Sequence, residues 1–522
     1  MNWRLYLFLF FIFLLAATIV GRLFYVQIIN HKFYQSQALG QQSQLQKING
    51  SRGEVFIESS KENQGSSASL QTRGLAINED KWLISAVPKK IKDKDNFASL
   101  LAESLKGTVD PNQEITKEFI LSKLEKLDSY MVIKKDLSKK DFENIKDLKL
   151  EGLNVENIPA RYYPQKNLAS QVIGFLGGDQ TGQYGIEGYY DDILKGKEGI
   201  KEEKKGLAAI GAEDISYLNG SELYLTINYN IQFQAESLLE QAFLDFGIES
   251  GQIIVLKPDS GKILALANYP SFDPNRYSKE TNLDIFQNGA TQKIFEPGSV
   301  FKPFTMAMAL QEGKVSPSTI FGDTGSVTIG PDTVYNFDRK VYGNQNMSGI
   351  LEKSINTGAV FLSSLLSHST FLDYLDKFGF NSKTGVDLQG EVSSKNEILK
   401  KGSDFGFATA SFGQGIEMTP LQLASAFSVF ANGGKTVKPY IVEKIVHGQE
   451  LIKKNPQISD SVISQKTTSE VTTMLTNVVE KGFGSGAKIP GYYLAGKTGT
   501  AQIPFKDKKG YYPDKTIQSF IG

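Results

Sequence analysis

The 522-residue chain contains no cysteine, which excludes disulfides, thiol catalysis and cysteine-held zinc. Histidine is nearly absent as well: His31, His368 and His447 are all there are. His31 follows an apolar run, His368 lies at a serine-rich helix end and His447 precedes a Gly-Gln turn. A Ser-His-Asp triad needs an imidazole held beside the serine, and none of these settings invites that role. Net charge is lacking too, because 57 Lys plus Arg balance 57 Asp plus Glu, so nothing global advertises nucleic acid. What is plentiful is apolar residue content, 40% of a chain long enough for two or three domains with substantial cores.

The one long hydrophobic run is N-terminal. Leu5 to Gly21 carries no charge, and after Arg22 the pattern resumes to Ile29. The run is near the lower limit for crossing a bilayer core, with Arg22 able to snorkel at the far interface. The only small-residue stretch resembling a cleavage site, Ala16-Ala17-Thr18, lies inside the run. The expectation is an uncleaved, single-pass signal anchor over residues 5–29, after a cytoplasmic tail of residues 1–4, with the bulk of the chain outside the cytoplasm.

Residues 30–220 are polar and lysine-rich. Helix-like apolar spacing occurs at Asn96–Leu105 and Leu137–Leu148, Glu58–Ser69 is an almost wholly polar excursion, and Lys195–Lys205 reads as an exposed hairpin or linker. Texture then shifts. Leu223–Ile227 predicts a strand, Ile231–Phe243 an amphipathic helix, and two strands flank the Pro258-Asp-Ser-Gly261 turn. Helical segments follow until strand character returns at Gly491–Ile503. This order predicts an α+β domain over residues 221–522, one antiparallel sheet with helices packed on it, preceded by a mixed α/β domain.

Three constellations carry chemistry. In Phe295-Glu-Pro-Gly-Ser-Val-Phe-Lys-Pro-Phe304, Ser299 and Lys302 stand three residues apart where a helix begins, a spacing that makes side chains neighbours. A serine hydroxyl is a poor nucleophile until a base takes its proton, and a lysine with a lowered pKa serves as that base. Ser354 and Asn356 can present a hydroxyl and an amide to one site, although a helix N-cap gives the same pattern. Lys497-Thr-Gly-Thr500 offers a cation, two hydroxyls and, at Gly499, close backbone approach along a strand edge. It also completes a phosphate-loop pattern, Gly491-x-x-x-x-Gly-Lys-Thr498. That match is a decoy, since loop precedes it and Gly499 and Pro504 disfavour the following helix it requires.

Together, Ser299-x-x-Lys302, Ser354-x-Asn356 and Lys497-Thr-Gly-Thr500 resemble the three ordered motifs of penicilloyl-serine transferases. The context narrows the resemblance to class B penicillin-binding proteins of division or elongation type. Phe412-Gly-Gln-Gly-Ile-Glu-Met-Thr-Pro, Ala431-Asn-Gly-Gly434 and, in the preceding domain, Arg52-Gly53, Arg161-Tyr-Tyr-Pro164 and Gly185-Ile-Glu187 are similar to that class. Asn228 departs from the Thr-Ile-Asp expected there, and the polar excursion replaces an Asp-Arg-Asn-Gly stretch.

The resemblance implies a pedestal (dimerisation-type) domain over 30–220 and a penicillin-binding, serine β-lactamase-like transpeptidase domain over 221–522. The second is expected to be C-terminally incomplete, because the chain stops within what reads as a strand at Ser519–Gly522. It further implies a D,D-transpeptidase in which Ser299 attacks the penultimate D-alanine carbonyl of a stem peptide and Lys302 takes its proton. Ser354 and Lys497 relay a proton to the leaving D-alanine, Asn356 holds the peptide, and Thr498, Gly499 and Thr500 bind the terminal carboxylate. No metal or cofactor is expected. The implied partners are stem peptides, lipid-linked precursor polymer, β-lactams, the bacterial inner membrane, a membrane glycosyltransferase and divisome or elongasome proteins, but no nucleic acid. The alternative is an inactive or sensor-type penicillin-binding protein.

Overall fold

The structure, a computed structural model, describes residues 3–25, 43–59, 71–106, 115–125, 130–204, 216–505 and 510–522. The chain forms two compact units, residues 1–53 with 195–221, and residues 54–194 with 222–522. In the first, the apolar run is helical over Trp3–Phe24, and Ser43–Asn49 pairs antiparallel with Glu198–Lys204. Among the described residues no helix is long and apolar enough to cross a membrane. The end of the expected anchor, residues 26–29, lies outside the described residues, as does most of the 58–69 excursion.

The second unit begins with β1 (Val55–Ser59) and β2 (Gln71–Ala86), followed by α1 (Lys94–Ser104), α2 (Lys117–Leu124), β3 (Met131–Leu137), α3 (Lys139–Ile145) and β4 (Leu153–Tyr162). The three helices start where side chains satisfy first-turn N–H groups: Asp93 accepts from Asn96, Thr116 from Phe119, and Ser138 and Asp141 form a capping box. Their apolar faces, including Phe97, Leu101, Ile120 and Ile145, share a core with Trp82 and Ile84 of β2.

Beyond residue 221, β5 (Glu222–Asn228) leads into α4 (Tyr229–Phe246), whose N-cap is the Asn228 side chain. Then come β6 (Gly251–Leu256), β7 (Ile263–Tyr269), α5 (Lys302–Gln311), α6 (Met347–Glu352), α7 (Asn356–Ser364), β8 (Val442–His447), β9 (Glu450–Lys453), α8 (Gln465–Lys481), β10 (Lys497–Pro504) and β11 (Tyr511–Ile521). The single antiparallel sheet expected here is not what the described strands form. β5 lies between β8 and β1, parallel to β1, in a seven-stranded sheet of order β9-β8-β5-β1-β2-β3 with β4 added on β2. β6–β7 and β10–β11 are separate antiparallel ladders. Val55 and Ile57 of β1 share one core with Leu223, Leu225 and Ile227 of β5 and with Ile441 and Val442, so pairing the two strands buries their apolar faces together.

The largest core surrounds α5. Lys302 to Leu310 are all buried, so this helix is enclosed on every side rather than amphipathic. α6, α7 and α8 pack on it. The Ser299 segment thereby leads directly into a buried helix.

Candidate active site

Ser299 sits in a tight 3₁₀ turn, Gly298–Phe301, that leads directly into α5. Two features force the turn. Gly298 has φ +60°, a conformation that favours glycine, and Pro303 pre-sets the helix start. The run Phe412–Pro420 backs this segment. Phe295 and Met418 exchange backbone hydrogen bonds of 2.9 and 3.1 Å, and Gly298 N–H donates to the Gly413 carbonyl at 3.0 Å. Gly413 is itself left-handed (φ +85°), and a Cβ there would lie 2.1 Å from the Gly298 oxygen.

Lys302, 1% exposed, places Nζ 3.0 Å from Ser299 Oγ. The same nitrogen lies 2.6 Å from the Ser354 carbonyl, 2.7 Å from Asn356 Oδ1 and 3.1 Å from Ser354 Oγ. Ser354 and Asn356 are therefore not a helix cap. The capping residue of α7 is Ile355, without a side-chain bond, while the two polar side chains converge on Lys302. The Asn356 amide is oriented by its own donation to the Tyr335 carbonyl at 3.0 Å, which turns Oδ1 toward the lysine.

The third motif comes from β10. Lys497, Gly499 and Ala501 are buried, Thr498 is half-buried and Thr500 exposed, the alternation of a strand with one packed face. Lys497 Nζ donates to Ser354 Oγ at 3.0 Å and to the Thr498 carbonyl at 2.9 Å. Thr500 donates to Gln518 Oε1 at 2.9 Å across the ladder. At Gly499 a Cβ would meet Ser519 Oγ at 2.5 Å and Val300 Cγ1 at 2.9 Å, so its lack of a side chain lets β10 press against the Ser299 turn. Because a strand, not a helix, follows Gly491–Thr498, the phosphate-loop pattern has no phosphate site.

The three motifs thus meet around one serine hydroxyl and two lysines. Residues 251–522 match the penicillin binding protein transpeptidase domain, and residues 68–209 match the penicillin-binding protein dimerisation domain. The chain belongs to the penicillin-binding proteins. Its pairing of these two domains is that of class B, and its transpeptidase domain is serine-type. This penicillin-binding protein is similar to the stage V sporulation protein D of Bacillus subtilis, 31% identical over 86% of this chain and 70% of the relative. Similarity to the peptidoglycan D,D-transpeptidase FtsI of Escherichia coli is 28% identity over 100% of this chain and 84% of that one. Among solved structures, penicillin binding protein 3 of Mycobacterium tuberculosis complexed with aztreonam superposes with a TM-score of 0.62 at 30% identity, covering 70% of this chain and 81% of that one.

Electrostatics in this penicillin-binding protein penalise the charged form of Lys302. Burial, and then the neighbouring Lys497, hold its pKa well below the ordinary lysine value. A neutral amine has two N–H groups and one lone pair. The Ser354 carbonyl and Asn356 Oδ1 can only accept, so an amine that donates both N–H groups to them keeps a lone pair with which it could take the Ser299 proton. Lys497 is pushed down by burial to about 7. Between pH 7 and 10.5 the unfolded chain therefore binds the Lys497 proton and the folded chain does not, so this group makes stability rise with pH across that window. Relative to Lys497→Met, the wild-type unfolding free energy is expected to gain on the order of 5 kcal/mol from pH 7 to 10.5. Urea titrations of both proteins across that range check this, and a pH-independent difference contradicts it.

The remaining histidines that are described lie in other settings. His368 pairs with Asp404 at 3.1 Å and stacks on Phe407, and His447 lies on β8 opposite Glu450. Sequence reasoning missed Glu296, which accepts from Gly415 N–H at 3.1 Å and from the Tyr511 hydroxyl at 3.1 Å. Burial raises its pKa. It ties the serine turn to the Phe412–Pro420 run and to β11; a charged residue inside Phe-Glu-Pro-Gly was the available signal.

Proposed function

We propose that this protein is a peptidoglycan D,D-transpeptidase that works through an acyl-enzyme on Ser299. The observation that carries the reading is the placement of Lys302 Nζ, 3.0 Å from Ser299 Oγ and held there by the Ser354 carbonyl at 2.6 Å and Asn356 Oδ1 at 2.7 Å. Lys302 takes the serine proton as Oγ attacks the penultimate D-alanine carbonyl of a stem peptide. Backbone N–H groups of Ser299 and Thr500 stabilise the oxyanion, consistent with the close packing of Gly298 on the Thr500 carbonyl. Ser354 Oγ, which lies between Lys302 and Lys497 at 3.1 and 3.0 Å, passes a proton to the departing D-alanine amine. Asn356 holds the peptide backbone, and Thr498 and Thr500, with Gly499 allowing close approach, receive the terminal carboxylate. An amine of a second stem peptide then attacks the ester, forms the cross-link and frees Ser299.

β-Lactams acylate the same serine. The apolar run over residues 5–29 of the sequence supports a single-pass anchor in the bacterial inner membrane, with the catalytic unit outside the cytoplasm beside a membrane glycosyltransferase of the division or elongation machinery. The complete three-motif contacts weigh against an inactive protein; release of D-alanine and cross-link formation separate a transpeptidase from a sensor-type protein.

Purified full chain, given donor stem pentapeptides ending in D-Ala-D-Ala and an amine acceptor, is expected to release D-alanine and form cross-linked product, both blocked by prior penicillin treatment. Folded protein that releases no D-alanine and forms no cross-link contradicts the proposal.

A further inference from the structure

Behind Asn356 lies a buried polar network that the proposed chemistry does not use. Asp323, Asn336 and Thr357 are 3%, 4% and 3% exposed. The Asp323 carboxylate accepts from the Thr357 hydroxyl at 2.6 Å, Tyr342 N–H at 2.7 Å, Gly325 N–H at 3.0 Å and the Asn336 amide at 2.9 Å on both oxygens. Asn336 Oδ1 accepts from Thr357 N–H at 3.1 Å. That N–H belongs to the first turn of α7, whose capping residue offers no side-chain acceptor. The segment around Asp323 and Asn336 thus caps α7 from elsewhere in the chain, with a negative charge near the positive end of the helix.

The neighbouring contacts lead straight to the catalytic lysine. Tyr335, beside Asn336, supplies the carbonyl that orients the Asn356 amide. Asn356 and the Ser354 carbonyl hold Lys302 Nζ. Ser354 has φ +52°, a left-handed conformation that a non-glycine residue keeps only where its surroundings over-determine it. We propose that Asp323, acting with Asn336 and Thr357, is a positioning residue that holds Ser354 and Asn356 against Lys302. Without the network the first turn of α7 is free to shift, the two acceptors leave the lysine, and its lone pair loses its aim at Ser299. The inference rests on the acyl-enzyme reading.

The test is single-turnover acylation of the full chain by a chromogenic cephalosporin, which separates the dissociation constant of the initial complex from the first-order acylation constant. Thr357→Val keeps the side-chain shape and removes the hydroxyl; Thr357→Ser keeps the hydroxyl. Measured well below its unfolding midpoint, Thr357→Val is expected to lower the acylation constant at least about tenfold, the loss of a hydrogen bond to a charged partner, while the dissociation constant changes less than about threefold. Thr357→Ser is expected to stay within about twofold of wild type. Asp323→Asn should match Thr357→Val, and if it does not fold the threonine pair decides. A folded Thr357→Val that acylates at the wild-type rate, or a Thr357→Ser that falls equally far, overturns the positioning role. A wild-type chain that fails to acylate instead overturns both this inference and the reading beneath it.

Discussion

Replacing Ser299 by alanine is expected to reduce covalent labelling by a fluorescent penicillin to background while leaving the fold intact. The serine is only half-buried, so trimming one oxygen opens no core cavity. Lys302 keeps its bonds to the Ser354 carbonyl and to Asn356. The other hydroxyl in the site, Ser354 Oγ, is engaged by both lysines and leaves no free nucleophile to take over. Labelling is read on a gel, and the unfolding midpoint shows that the variant is folded. Stoichiometric labelling of the alanine variant contradicts the assignment.

The second large effect is expected at Lys302. Arginine keeps the positive charge at every accessible pH and has no lone pair to offer, so Lys302→Arg is expected to lower the acylation rate constant by roughly 10²–10⁴, the span attributed to a positioned general base. Lys302→Met retains a stem of similar length and is expected to lose activity to the same extent. Its thermal unfolding should stay close to wild type, because the methionine no longer has an amine to desolvate. Stopped-flow acylation and thermal unfolding of the two variants make the comparison. A folded Lys302→Met acylated at the wild-type rate contradicts the base role.

The residues that converge on the candidate site were legible in the sequence because each motif is local. Ser299 and Lys302 are neighbours by helical spacing, Ser354 and Asn356 by two residues of irregular chain, and Lys497 to Thr500 by strand alternation. The scarcity of histidine pointed to lysine before any geometry was known. The parts that stayed hidden depend on partners far apart in the chain. Asp323, Asn336 and Thr357 meet across loops and short strands whose side-chain pairing leaves no periodic pattern. β1 pairs with β5 although a whole segment of helices and strands separates them; each strand carries the alternation, but alternation does not name a neighbour. For β5 the expected single antiparallel sheet missed this partner, because the shared core of Val55, Ile57, Leu223 and Leu225 joins it to a strand outside the stretch read as one domain. Glu296 was visible only as part of a motif's context, because its partners Gly415 and Tyr511 come from distant segments.

The central claim is that Ser299 forms a covalent acyl-enzyme. Peptide mapping by mass spectrometry after reaction of the full chain with penicillin tests it most directly. The account predicts one penicilloyl group per chain, carried by Ser299; an adduct on any other residue, or none on folded protein, would contradict it.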